Sequence, residues 1–138
     1  MNIVLDASVA VKCFFPEQHS AQAQSVVVGT DDLHAPEVLL LEFDSVLCRR
    51  VRRGESSLTD AEDARSRLRL IPVSLHRNQA LLDEAFAAAA RTGCTPYDCL
   101  YVALAARLGG KMVTADQKLC RNLQNGPLSQ YVLWIGNV

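Results

Sequence analysis

No run of the 138 residues is long and apolar enough to span a membrane, and no basic region precedes the apolar start Ile3-Val4-Leu5. Neither a membrane anchor nor a secretory leader is therefore expected. The five cysteines (Cys13, Cys48, Cys94, Cys99, Cys120) form no Cys-x-x-Cys pair. An odd, scattered set implies reduced, mostly buried thiols in a cytoplasmic protein, not a disulfide framework. His19, His34 and His76 are isolated from one another and from the cysteines, which argues against a zinc site. Neither charge sign dominates: the formal net charge is -1, so any surface for nucleic acid has to be local. Internal repeats, low-complexity tracts and Pro/Gly-rich linkers are missing, so a single domain over residues 1–138 is expected. A glycine-rich phosphate loop and a Ser/His/Asp nucleophile set are missing as well.

What the chain has is a 49% share of hydrophobic residues, enough for a substantial core, arranged as short apolar runs alternating with helical patterns. Ile3–Leu5 reads as a strand, followed by a short helix capped by Ser8 and closed by Pro16. Ser20–Val28 reads as a helix, Leu33–Ala35 as a strand, and Pro36 opens a long helix that Gly54 ends. The polar helix Asp60–Leu68 starts from Ser57 or Thr59, and Leu70–Val73 is strand-like. Residues 78–91 form an alanine-rich helix capped by Gly93, and Thr95-Pro96 starts another that runs to Gly109-Gly110. Met112–Thr114 is a strand, Asp116–Leu123 a helix and Tyr131–Ile135 a last strand. This alternation predicts an α/β fold with a parallel sheet covered on both faces.

Four acids interrupt segments where apolar packing is expected. Asp6 ends the first strand, Glu42 lies inside Val38-Leu39-Leu40-Leu41-Glu42-Phe43, Asp98 heads the apolar run to Ala105, and Asp116 follows Met112-Val113-Thr114. A carboxylate removed from water without a partner is costly. Two carboxylates about 5 Å apart repel by roughly 3 kcal/mol at an effective dielectric near 20. A divalent cation relieves both penalties, so the pattern suits a metal-dependent enzyme with hard oxygen ligands. Asp6 and Asp116 both lie just past strand ends, where ligands gather in parallel sheets. Taken singly, three of the acids also suit helix caps: Asp6 for the first helix, Asp98 in a capping box begun at Thr95, and Asp116 for the helix it opens. Glu42 has no capping role; it sits in a helix apolar nearly all round, the pattern of a buried helix, with a core salt bridge as its alternative.

The segments Ile3-Val4-Leu5-Asp6-Ala7-Ser8, Ala35-Pro36 through Glu42, Tyr97-Asp98-Cys99-Leu100-Tyr101 through Ala105, and Val113-Thr114-Ala115-Asp116 resemble PIN-domain ribonucleases. In order and spacing they are similar to the short VapC toxins of toxin–antitoxin modules. One departure is Ser45, three residues after Glu42, where such proteins often carry Asn. The resemblance implies a three-layer α/β/α sandwich with a central parallel sheet, in which Asp6, Glu42, Asp98 and Asp116 are catalytic and hold Mg²⁺ or Mn²⁺. It also implies an RNA substrate, a cognate antitoxin and a homodimer. Ser8 and Thr114 are then candidates for contacts to a metal ligand or its waters, with capping and strand-end hydrogen bonding as the alternative. A non-catalytic RNA-binding module of the same fold remains open, as does an aspartate-dependent phosphotransfer protein, although Leu5-Asp6-Ala7-Ser8 lacks the neighbouring acids those proteins use.

At 100° per helical residue, Arg49 and Arg53 fall within about 20° of Glu42. They are candidates for a cationic track along which RNA phosphates pass the acids; the alternative is that they satisfy the C-terminal dipole of the helix. Asp44 is about 200° from Glu42 and is expected to face away, toward solvent or an arginine on a neighbouring turn. Arg65, Arg67 and Arg69 read as a solvated face.

Overall fold

The computed structural model describes residues 1–138. Its strands are β1 (Asn2–Leu5), β2 (Asp32–Pro36), β3 (Val73–His76), β4 (Lys111–Thr114) and β5 (Val132–Trp134). The helices are α1 (Ala7–Ala10), α2 (Ser20–Val28), α3 (Val38–Arg52), α4 (Leu58–Leu68), α5 (Leu82–Thr92), α6 (Pro96–Leu108) and α7 (Gln117–Leu123). All five strands are parallel, in the order β3-β2-β1-β4-β5. β1 is central, with Ile3 opposite Leu33 on one side and Lys111 on the other. Val4, Leu5, Ala35, Met112 and Val113 are fully or almost fully buried, as strands covered on both faces require.

α6 lies against β1, β2 and β4, with α5 packed behind it. Wedged between sheet and helix, α6 is buried continuously from Cys99 to Ala105, which explains an apolar pattern with no polar stripe. Pro96 sits in its first turn behind the Thr95 cap, and Gly109, at φ +63°, ends it in the left-handed conformation. α1 packs on α3, and these two contact β4 and β2 respectively; α4 packs on α3. The result is a three-layer α/β/α sandwich. No helix is long and apolar enough to cross a membrane.

Several sequence expectations need correction. Pro36 ends β2 and does not open the long helix, which starts at Val38 behind Glu37. The thiols are not mostly buried: Cys94 and Cys99 are, but Cys13 and Cys120 are half-buried and Cys48 is exposed. The third strand is Val73–His76, not Leu70–Val73: Leu70 and Ile71 turn back onto Arg67 and Leu68 as α4 closes, Leu70 is 82% exposed, and pairing begins only after Pro72. As the edge strand, β3 tolerates Ser74 and His76, so apolar content misplaces it. Ser8 is not a cap but lies inside α1. α3 is not buried all round, since Leu41 is 66% exposed and Leu40 is exposed beside it. Finally, His34 and His76 are not isolated: parallel pairing of β2 with β3 brings His34 Nδ1 within 3.0 Å of His76 Nε2, and His34 Nε2 lies 3.1 Å from the Asn2 side-chain oxygen. Burial, His34 and Arg107 all lower the His76 pKa.

The β1–α6–β4 contact depends on a missing side chain. A Cβ at Gly110 would lie 2.1 Å from the Asn2 carbonyl oxygen, in the strand that carries Asp6. Gly110→Ala is expected to destabilise the fold by about 1–3 kcal/mol, the usual cost of forced overpacking, read as a lower denaturant midpoint.

Candidate functional site

Where the strand order turns around, the connections leaving β1 and β4 run to opposite sides and open a crevice at the C-terminal edge of the sheet. Asp6 follows β1 directly and Asp116 follows β4 after one intervening residue. The Asp6 amide extends the ladder by donating to the Val113 carbonyl at 3.3 Å, which fixes where its side chain emerges.

Asp6 is only 8% exposed. Its Oδ2 accepts hydrogen bonds from the Ser8 hydroxyl at 2.6 Å and the Thr114 hydroxyl at 2.7 Å. Both hydroxyls are themselves oriented: the Ala115 amide donates to Ser8 Oγ at 3.0 Å and the Asp116 amide to Thr114 Oγ1 at 3.1 Å. With a lone pair of each hydroxyl occupied by an amide, its proton is directed to Asp6. Asp6 takes the N-cap position of α1 but makes no capping bond with its side chain, so the capping alternative does not hold for it.

Glu42 projects from α3, half-buried, and its Oε1 accepts a hydrogen bond from the Tyr101 hydroxyl at 2.6 Å. Its partner is thus a phenol, not a core salt bridge. Asp98 starts α6, where its amide donates to the Thr95 hydroxyl at 3.1 Å, but its carboxylate takes no hydrogen bond from the Thr95 amide. The two halves of a capping box are therefore not both made. Asp116 does cap α7, with Oδ1 accepting from the Leu119 amide at 3.1 Å.

A common arrangement emerges. Asp6, Glu42 and Asp116 each tie one carboxylate oxygen to the protein and leave the other without a protein partner. No Lys, Arg or N-terminal ammonium pairs with any of the four acids; the ion pairs of the chain lie elsewhere. Burial raises the pKa of Asp6 to about 6 against the opposing hydrogen bonds from Ser8 and Thr114, and the charges of Glu42 and Asp98 add to the rise. Burial likewise raises Glu42, with Tyr101 opposing and Asp98 reinforcing. Asp98 is raised by burial and by Asp116, with Thr95 opposing. Asp6 thus feels the charges of Glu42 and Asp98, Glu42 that of Asp98, and Asp98 that of Asp116, so the four acids lie near one another. Burial and the nearby Asp6 and Glu42 push the Tyr101 phenol far above its ordinary range, so it stays a donor.

Unpaired, mutually repelling carboxylates with free hard-oxygen donors fit a divalent cation. No three of the chain's acid, imidazole or thiol groups enclose an ion by themselves.

Around this centre, Asp44 turns away as expected, but onto the next helix: Arg65 of α4 grips it with two hydrogen bonds, of 2.7 and 3.0 Å. Arg65 is therefore not a merely solvated residue, and Arg67 lies over the Phe14 ring at 5.4 Å. Arg50 turns inward over Phe15 at 4.1 Å, whereas Arg49 and Arg53 are exposed and form no ion pair. Tyr101 is a site residue that the acid pattern of the sequence does not single out. The available signal was its spacing, one helical turn after Asp98, with a hydroxyl in a run otherwise wholly apolar.

A doubly wound α/β sandwich with an acidic crevice at its switch point defines the class, and comparison with known proteins defines the family. The PIN domain family model matches residues 3–122. Ribonuclease VapC3 of Pyrobaculum aerophilum is 34% identical over 124 residues, covering 86% of this chain and 92% of the relative. The chain belongs to the PIN-domain family, among the VapC ribonucleases. Among solved structures, PAE2754 from Pyrobaculum aerophilum superposes with a TM-score of 0.73 at 19% identity, covering 99% of this chain and 85% of the other. A toxin–antitoxin complex from Klebsiella pneumoniae gives a TM-score of 0.67 at 13% identity, with 99% of each chain covered.

The crowding has a measurable consequence in metal-free protein. Because the folded-state pKa of Asp6 rises from 3.8 to about 6, the folded state binds its proton more tightly than the unfolded chain does. Stability contributed by that proton is therefore lost as pH climbs through this window, amounting to about 3 kcal/mol above it. Asp6→Asn, which never ionises, is expected to become more stable than the parent as pH rises through the window, with the two closest at its acid end. Chelator-treated parent and variant, unfolded in urea across that range, provide the check.

Proposed function

We propose that this chain is a divalent-metal-dependent endoribonuclease, the toxin of a type II toxin–antitoxin pair, with Asp6, Glu42, Asp98 and Asp116 as metal-holding and catalytic carboxylates. The observation that carries this reading is the carboxylate cluster itself: burial and neighbouring acids raise the proton affinity of Asp6, Glu42 and Asp98, and no Lys or Arg of the protein pairs with any of the four acids. The curated relative, a ribonuclease, supports RNA as substrate.

In this reading Ser8 and Thr114 hold Oδ2 of Asp6 and thereby aim Oδ1 into the crevice. Asp116 is fixed by its cap to Leu119, and Glu42 by Tyr101. Mg²⁺ or Mn²⁺, when bound, supplies Lewis-acid chemistry, offsetting phosphodiester charge and making water a better nucleophile. Arg49 and Arg53, exposed on the helix that carries Glu42, contact RNA phosphates and position the backbone without reading sequence. The antitoxin belongs to the same proposal, supported by the solved toxin–antitoxin neighbour. An apolar groove of about 500 Å³ between α3 and α4, lined by Leu47, Val51, Leu58 and Ala61, leaves surface for a protein partner. Exposed Leu41 and Phe86 leave further apolar area for a homodimer.

Purified protein with Mn²⁺ is expected to cleave RNA internally and to stop when EDTA is added. Glu42→Gln should abolish cleavage while the fold persists, because the swap is nearly isosteric and removes one repelling charge. Asp44→Asn should leave cleavage within a few-fold of the parent, since Asp44 faces Arg65. RNA bound tightly but never cut, with or without metal, would instead assign a binding module; Asp44 essential with Glu42 dispensable would reverse the facing of α3.

A further inference from the structure

We infer that Tyr101 is a positioning residue for the metal site: its hydroxyl holds Glu42 in the one orientation that presents a free carboxylate oxygen to the crevice. This rests on the reading of Glu42 as a metal ligand. Tyr101 is completely buried in α6, one helical turn after Asp98, so its ring has no freedom to swing away from the site. It donates to Glu42 Oε1 at 2.6 Å, and the Ala7 backbone, next to Asp6, also approaches the phenol oxygen. One hydroxyl therefore touches the helix carrying Glu42 and the turn carrying Asp6, from the helix carrying Asp98.

Glu42 needs such a restraint more than Asp6 or Asp116 does. Asp6 is held by two hydroxyls and Asp116 by a backbone amide close to it in sequence. Glu42 has a longer side chain and lies past the first turn of α3, and no backbone amide donates to its carboxylate. The Tyr101 hydroxyl is its one hydrogen-bond partner. Without it the carboxylate samples other rotamers, driven outward by repulsion from Asp98. Ligand-orienting hydrogen bonds of this kind commonly change metal affinity by about 10- to 100-fold.

The test uses Mn²⁺ alone, with free ion counted by electron paramagnetic resonance, in a cycle of the parent, Tyr101→Phe, Glu42→Ala and the double variant. Tyr101→Phe is expected to weaken Mn²⁺ binding by about 10-fold or more in the parent background, and to change it less than about twofold once Glu42 is already Ala, as coupling through a shared contact requires. RNA cleavage by Tyr101→Phe should recover to within a few-fold of the parent at saturating Mn²⁺. Independently of any variant at position 101, the metal-free parent should show a downfield, slowly exchanging Tyr101 hydroxyl proton by NMR that disappears in Glu42→Ala. Equal losses of affinity in both backgrounds, unchanged affinity in Tyr101→Phe, or no such proton in the parent would each overturn the inference while leaving the nuclease reading intact. A parent that binds no Mn²⁺ overturns the metal reading itself, and the role of Tyr101 with it.

Discussion

The crowding of carboxylates at the C-terminal edge of the β1–β4 pair is the constraint on which the rest of the structure turns. Asp6 is nearly buried, its pKa is pushed up to about 6, and Glu42 and Asp98 stand close enough to contribute to that rise. A fold dominated by hydrophobic burial would normally remove such a charge or neutralise it with a basic side chain. Here the arginines pair elsewhere: Arg65 with Asp44, Arg107 with Glu84, Arg50 with Glu17 and Glu55. The protein keeps its own cations out of the crevice, and the cost is offset locally by hydroxyl donors from Ser8, Thr114 and Tyr101.

Hydroxyls suit this role because they stabilise a carboxylate without cancelling its charge. An arginine would close the site electrostatically and occupy both oxygens through its fork. A single hydroxyl proton engages one oxygen and leaves the other for a ligand. The amides of Ala115 and Asp116, by donating to Ser8 and Thr114, determine which way those protons point. Backbone geometry at the end of β4 is thereby transmitted to a side chain at the end of β1. The same β1–β4 contact is the one at which Gly110 has no room for a side chain, so packing and site geometry share one tight interface.

α3 joins the site to the surface. Its buried residues Leu39, Phe43 and Leu47 fasten it to the body of the fold, and Glu42 rides between them at the crevice. Leu40 and Leu41 remain outside although nothing in their chemistry distinguishes them from the core leucines. Apolar content shows that a segment will be covered, but not whether its own chain or another molecule covers it. The helix read as wholly buried is for that reason an amphipathic one with an apolar surface to spare. Asp44, on the far side of the helix from Glu42, is held instead by Arg65 of α4.

Much of this protein is determined by the sequence alone, because the relevant physics is local. Alternating short apolar runs and helical periods specify parallel α/β layering, Pro96 and Gly109 bound α6, and the four acids stand out as charges in segments that bury their neighbours. The placing of Glu42 and Asp44 on opposite sides of α3 follows from helical geometry, without tertiary information. What only the tertiary structure decides is everything that depends on which strands are neighbours. Pairing of β1 with β4 makes Ser8, a possible cap, and Thr114, a strand-end residue, the holders of Asp6, and pairing of β2 with β3 joins His34 to His76, two residues that look unrelated in the chain. The partner of Tyr101 is hidden in the sequence for the same reason. A phenol in an apolar helix can point anywhere until the helix packs, and a hydrogen bond spanning 59 residues to Glu42 leaves no periodic trace.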